Sequence, residues 1–321
     1  MSGSDLITFT DLKSGKRLER DEIPSLVLAT GNFDGVHLGH KALINKAVAV
    51  SREMTASGEL TESGVFCFRT SPSDLLSDSP PPHICSHEEK LGLFRSLGVR
   101  YAVVGDFSRM RDIEFDTFID FLKSECLCRA IVCGFNFRFG CGGRGSYEDL
   151  IKSFGDNAFV IDAVRSEDGI PISSSRIRSM VLCGDVEGAA RLLGHFFFLS
   201  GKVFHGKALG RRLGLPTVNQ NFDDGALIPK KGIYVTSVNI DGRQYAGVTN
   251  IGTRPTVENT DRINCETHLL DFDGDLYEKD ITVEFRRRLR DEKKFSSEEE
   301  LRNAIENDVL SAREYFAKNH F

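Results

Sequence analysis

The strongest constraint on the fold is a change of hydrophobic period near the middle of the chain. Up to about residue 135, short apolar runs alternate with stretches of helical spacing. The runs are SLVLAT (25–30), GVFCF (64–68), YAVVGDF (101–107) and AIVCGF (130–135). Between them, residues 40–54 place Leu43, Ile44, Ala47 and Val48 on one helical face. Residues 86–98 open with Ser86 and Glu89 as a capping box and close on Gly98, and residues 114–126 are again helical in spacing. Strands apolar throughout and separated by helices predict a parallel α/β sheet.

Past residue 200 the pattern is that of strands and turns. Segments 201–206, 232–252 and 266–285 read as strands, with Asp241-Gly242 and Asp273-Gly274 where tight hairpin turns are expected. An antiparallel, barrel-like unit follows. A terminal helix closes it, with Ser296 and Glu299 as capping box and Leu301, Ile305, Val309 and Leu310 on one face. The stretch between the halves, residues 173–194, reads as helical. A chain of 321 residues has room for two cores. The boundary is placed near residue 184, giving domains 1–183 and 184–321.

Charge and cysteine usage narrow the function classes. The net charge of -6 argues against a nucleic-acid surface. No apolar run approaches the 20 or so residues of a membrane span, and the first sixteen residues lack a secretory pattern. Eight cysteines without such a signal fit reduced thiols, so a cytoplasmic location is expected. The closest pair, Cys126 and Cys128, has no second pair and no neighbouring histidine, and makes a poor zinc site.

The segment LVLATGNFDGVHLGH (26–40) carries the first candidate chemistry. Its glycines, Gly31, Gly35 and Gly39, are spaced by four, which is not the dinucleotide fingerprint G-x-G-x-x-G. A phosphate-binding G-x-x-x-x-G-K-[ST] loop is absent throughout. A zinc reading of His37 and His40 lacks a nearby third ligand. What remains is a helix starting near His40, whose free N–H groups suit phosphate. Imidazoles there can stabilise charge developing at phosphorus. Two solvent-facing or core-satisfied histidines are the alternative reading.

With these residues in view, GNFDGVHLGH resembles the first signature of the nucleotidylyltransferase superfamily. Its fuller form resembles the prokaryotic bifunctional riboflavin kinase/FMN adenylyltransferase (FAD synthetase) family. The resemblance implies a Rossmann-like N-terminal domain in which Gly31, Phe33 and Asp34 form the nucleotide-binding turn and His37 and His40 are catalytic. ISSSRIR (172–178) resembles the second signature, so Ser174, Ser175 and Arg178 are implied at the ATP phosphates. CGFNFRFG (133–140) resembles the substrate-facing strand end, implying Asn136 and Arg138 beside flavin or nucleotide, flanked by Phe135 and Phe137. One departure stands out. Many relatives carry an acidic residue and a Pro-His-Pro-like element after the second strand, whereas this chain reads FCFRTSPSDLL (66–76), without the histidine.

GKVFHGKALGRRLGLPTVN (201–219) resembles the riboflavin kinase signature. The resemblance implies a flap over a triphosphate made with Gly206, Lys207, Gly210, Arg211 and Arg212. It implies Thr217 and Asn219 at Mg²⁺, with Asn219 also assisting at the phosphates. Glu266 becomes the base and Arg290 a flavin neighbour, although any single strand glutamate is more often merely exposed. Riboflavin, FMN, FAD and ATP are the implied small molecules. A kinase with a degenerate adenylyltransferase domain and a non-catalytic flavin-binding protein stay open as alternatives.

Overall fold

The computed structural model describes residues 6–204, 217–222, 225–254 and 262–319. Its contacts divide the chain into two compact units, 1–174 and 175–321.

The first unit is built on seven strands. They are β1 (Ile7–Asp11), β2 (Arg17–Leu18), β3 (Ser25–Thr30), β4 (Thr61–Phe68), β5 (Tyr101–Gly105), β6 (Cys128–Gly134) and, after a small hairpin of β7 (Arg138–Phe139) and β8 (Gly145–Ser146), β9 (Ala158–Ile161). Their spatial order is β2-β1-β5-β4-β3-β6-β9, and the five from β5 to β9 run parallel. At the far edge β1 runs antiparallel to both β2 and β5, an addition that the apolar pattern does not reveal. The helices are α1 (Leu38–Ala56), α2 (Pro72–Leu76), α3 (His87–Ser96), α4 (Phe107–Met110), α5 (Phe115–Ser124) and α6 (Tyr147–Phe154).

Successive residues of β3 feed opposite faces of this sheet. Leu26 and Leu28 join a core with Phe118 and Leu122 of α5, while Val27 and Ala29 join one with Ile44 of α1 and Phe94 of α3. Cover on both faces is why the strands are apolar without alternation. From β3 the chain steps to β4 and β5 on one side, then crosses to β6 on the other. That reversal leaves the ends of β3 and β6 side by side, the place where open α/β sheets bind ligands.

The helical stretch expected over 173–194 is two helices, α7 (Ser174–Cys183) and α8 (Val186–Leu193). Gly184, with φ +87, separates them, and a Cβ there would lie 2.5 Å from Arg288 Cδ. Six antiparallel strands then close a barrel: β10 (Phe197–Phe204), β11 (Thr217–Asn221), β12 (Gly232–Ile240), β13 (Arg243–Arg254), β14 (Arg262–Leu269) and β15 (Asp280–Arg290).

Asp241 and Gly242 form the expected β12–β13 turn, both at positive φ. Asp273-Gly274 does not form a hairpin. It lies in a longer connection, because β14 pairs with β11 and β13 while β15 pairs with β10 and β12. The buried side chains of Leu270 and Leu276 pin that connection. The C-terminal helix (Glu298–Lys318) starts one residue later than its expected box. Ser297 caps it, accepting from Glu300 N at 3.2 Å. Leu310 is exposed, and Ala312 and Phe316 pack on the barrel instead.

Candidate active sites

In the first unit, Thr30 at the end of β3 donates its hydroxyl to Val132 O of β6 at 3.4 Å. The turn that follows has Phe33, Gly35 and Val36 at positive φ. Phe33 is wholly buried, edge-on to Phe94 and to His40 at 5.3 Å each. It therefore shapes the turn from inside rather than presenting a surface. Gly31 leaves room for that ring, since a Cβ there would sit 3.3 Å from it. Asp34 turns Oδ1 to the backbone N–H groups of Ile84 and Cys85, at 3.0 and 3.4 Å.

The helix starts earlier than the pattern suggests, and His37 is its cap. His37 Nδ1 accepts from His40 N at 3.3 Å, so one of the free N–H groups is already used. With Nδ1 accepting, the neutral ring carries its proton on Nε2. Gly39 permits this, because a Cβ there would lie 3.0 Å from the His37 ring. The two imidazoles stack, with centroids 3.6 Å apart and planes 15° from parallel. Burial pushes His37 down to about 4. Burial, then the charges of His37 and Lys90, hold His40 well below the ordinary range. Both rings are thus neutral hydrogen-bonding groups at pH 7.

The second signature reaches the first. Ser174 Oγ donates to Asp34 O at 3.0 Å, and Ser175 and Arg178 follow on α7. Beyond β6, Asn136 and Arg138 are exposed, as is Phe135, while Phe137 packs against Phe139. So the turn after β3, the start of α1, the residues after β6 and Ser174 gather at one end of the sheet.

The loop after β4 is polar despite lacking the histidine. Asn32 Nδ2 donates to Ser71 Oγ at 2.9 Å, Ser71 N donates to Asp74 Oδ2 at 3.0 Å, and His83 Nε2 lies 3.2 Å from that same oxygen. Sequence reasoning passed over Lys90 of α3. It is buried, and its ammonium donates to Asn32 O at 3.1 Å and Phe68 O at 3.5 Å. The available signal was a lysine four residues before Phe94, on the inward face of the helix.

In the second unit, β11 and β14 set Asn219 opposite Glu266 and Thr217 opposite His268. Thr217 Oγ1 donates to Glu266 Oε1 at 2.5 Å, and Asn219 is buried beside them. Thr217 and Glu266 line a cavity of about 250 Å³ whose walls also include Asn250, His268, Arg290 and Asp308. Arg290 grips Asp308 of the C-terminal helix with two hydrogen bonds, at 2.9 and 2.7 Å. Among the described residues, Asn250 Oδ1 is buried in this wall without a hydrogen-bond partner. Asn250, His268 and Asp308 carried no motif of their own; closure of the barrel brings the first two here, and the C-terminal helix brings Asp308. Gly206, Lys207 and Arg212, with Gly210 and Arg211, lie outside the described residues. The eight cysteines are free, and the described residues hold no cluster of three or more His, Cys, Asp or Glu suited to a metal.

Comparison with known proteins matches both regions. The family model for FAD synthetase covers residues 19–176, and that for riboflavin kinase covers 193–316. The bifunctional riboflavin kinase/FMN adenylyltransferase of Pseudomonas fluorescens is 34% identical, spanning 92% of this chain and 94% of its own. That of Escherichia coli K12 is 36% identical over 90% and 92%. A crystal structure described as a macrolide-efflux protein from Streptococcus pneumoniae superposes with a TM-score of 0.81 at 30% identity, covering 92% of this chain and 96% of that one. Among the described residues here, no helix is long and apolar enough to cross a membrane.

Proposed function

The chain belongs to the bifunctional riboflavin kinase/FMN adenylyltransferase family, and from that premise we propose which of its residues carry each reaction. The second unit phosphorylates riboflavin to FMN with ATP. The first transfers AMP from ATP to FMN, releasing pyrophosphate and forming FAD. The compact units divide at 174/175, and we set the boundary between the two catalytic domains at 183/184, in the interval between the two matched regions, so that Ser175 and Arg178 fall with adenylyl transfer.

The observation that carries the kinase assignment is the contact between Thr217 and Glu266 at the mouth of the cavity. Glu266 accepts the proton of the riboflavin 5′-hydroxyl as that oxygen attacks the γ-phosphorus and ADP leaves. Thr217 orients the carboxylate for this through its hydroxyl. The residues suit Mg²⁺: a hydroxyl, the buried amide of Asn219 and the orphaned Asn250 Oδ1 are hard oxygen donors. Once held by Thr217 and Asn219, the ion would offset charge on the triphosphate. Arg290, fixed by Asp308, forms the flavin side of the cavity.

In the first unit an FMN phosphate oxygen attacks the α-phosphorus of ATP. His37 donates from Nε2 to the phosphate oxygens on which charge grows, and His40 holds the stack. Ser174, Ser175 and Arg178 bind the phosphates that leave as pyrophosphate. Gly31 and Asp34 keep the turn open, and Asn136 and Arg138 meet the substrates from the β6 side. Free, mostly buried cysteines support a cytoplasmic location.

A time course with riboflavin, ATP and Mg²⁺ tests this reading. FMN rises first and FAD follows, whereas His37→Ala makes FMN accumulate. FMN without any FAD from the unaltered protein would favour a kinase whose first unit is inactive.

A further inference from the structure

Lys90 is a buried ammonium with an unusual set of partners. Among the described residues it meets the carbonyls of Asn32 and Phe68 and no carboxylate. Buried lysines are rare, and one without a counter-ion is costly to hold. Its two acceptors lie just past β3 and at the last residue of β4, so the side chain bridges two strand ends that border the crevice. Its surroundings are also incompletely satisfied. Among the described residues, Asn32 Oδ1, His40 Nδ1, Asp74 Oδ1 and both ring nitrogens of His87 are buried without hydrogen bonds. His37, His40 and His87 are all held neutral. The histidines therefore bring no full positive charge to a triphosphate.

We propose that Lys90 is a positioning residue for adenylyl transfer, tying the Gly31–Asp34 turn to the end of β4 and supplying the fixed positive charge behind His40. The missing counter-ion is then the substrate's own phosphate charge. Its charge acts on His40 from α1, on His87 from its own helix, and on Cys67 and Cys85 from the neighbouring segments; the other charged or titratable groups acting on these four are His37, Arg69 and the carboxylates of Asp34, Glu88 and Glu89. Because Lys90 acts through the turn and through His40, this inference rests on the reading of the two histidines above.

The test uses the full-length protein with Lys90→Gln, which keeps a donor for the carbonyls but removes the charge, and Lys90→Arg, which keeps the charge. Three quantities are measured: FMN adenylylation, riboflavin phosphorylation, and the titration of His40 by NMR. Lys90→Gln is expected to lower kcat for adenylylation about 10- to 100-fold. It should leave the kinase unchanged and move the His40 titration to higher pH, since a neighbouring cation has been lost. Lys90→Arg should stay within about threefold of the parent by the same positioning argument. Wild-type adenylylation in Lys90→Gln, or a His40 titration that does not move, overturns the proposal. So does equal loss in both variants with His40 unmoved, which marks a packing role only. His40→Asn separates the two readings: an intact His40→Asn overturns both, while its loss beside an active Lys90→Gln overturns only the lysine's role.

Discussion

His37 and His40 stack face to face at 3.6 Å, and the ring of the first caps the backbone of the second. The pair works as a unit, so changing either member disturbs the other's orientation. Single alanine variants should each reduce FAD formation about 10²- to 10³-fold, the range for losing a preorganised donor. The double variant should lose little more, because groups acting together are not additive. Steady-state assays of FMN adenylylation decide this, with riboflavin kinase activity as the folding control. Strictly additive losses would break the argument.

The same burial makes the first unit sensitive to acid. His37 and His87 titrate near 4 in the native protein against an ordinary 6.5. Between those values the unfolded chain binds more protons, so stability rises with pH there. The contribution is complete above about 6.5 and is lost as pH falls toward 4. Urea midpoints should drop between pH 7 and 5, and His87→Gln should drop less. A variant whose midpoint falls as steeply as the parent's would refute the linkage.

In the barrel, Glu266→Gln should cut riboflavin phosphorylation about 10²- to 10⁴-fold at unchanged stability, since a base is removed and a similar shape kept. Thr217→Ser retains the hydroxyl and should keep most activity, whereas Thr217→Val should not. Adenylylation of supplied FMN should be unaffected in all three. If Glu266→Gln phosphorylates riboflavin normally, the base lies elsewhere.

Asp308→Ala leaves the Arg290 guanidinium without its paired carboxylate. With Asp308 buried and Arg290 partly exposed, the expected cost is about 2 kcal/mol, set by two charged hydrogen bonds and moderated by solvent. The cavity wall should loosen as well, raising KM for riboflavin more than it lowers kcat. Denaturation and kinase kinetics on one preparation check both effects, and an unchanged KM would detach the pair from the flavin side.

Gly35→Ala tests the turn. Its φ is +76, and a Cβ would meet Ile84 Cγ2 at 2.7 Å. The variant should lose stability by about 1–2 kcal/mol and adenylylation more than phosphorylation, because the strained position lies beside the histidines. A neutral outcome in calorimetry would show that the turn has slack.

The sequence by itself determined most of the regular elements and the two-part organisation of the chain. The apolar strand at 25–30, the Ser86–Glu89 capping box and the Asp241-Gly242 turn follow from local rules and the structure has each, while the run read as 101–107 is a strand only to Gly105. Local patterns drew attention to His37 and His40, whereas Thr217 and Glu266 came from the resemblance of their stretches to the family's signatures. Other features depended on long-range closure. The antiparallel edge formed by β1, the longer link at Asp273-Gly274 and the break at Gly184 were set by which strands pair and what Arg288 packs against. Only tertiary structure brought Lys90 beneath the turn after β3, and Asn250 and Asp308 to the wall around Glu266. The physical reason is that spacing along a chain reports a residue's own helix or strand face. The partners across that face come from strand order, which the local pattern leaves open.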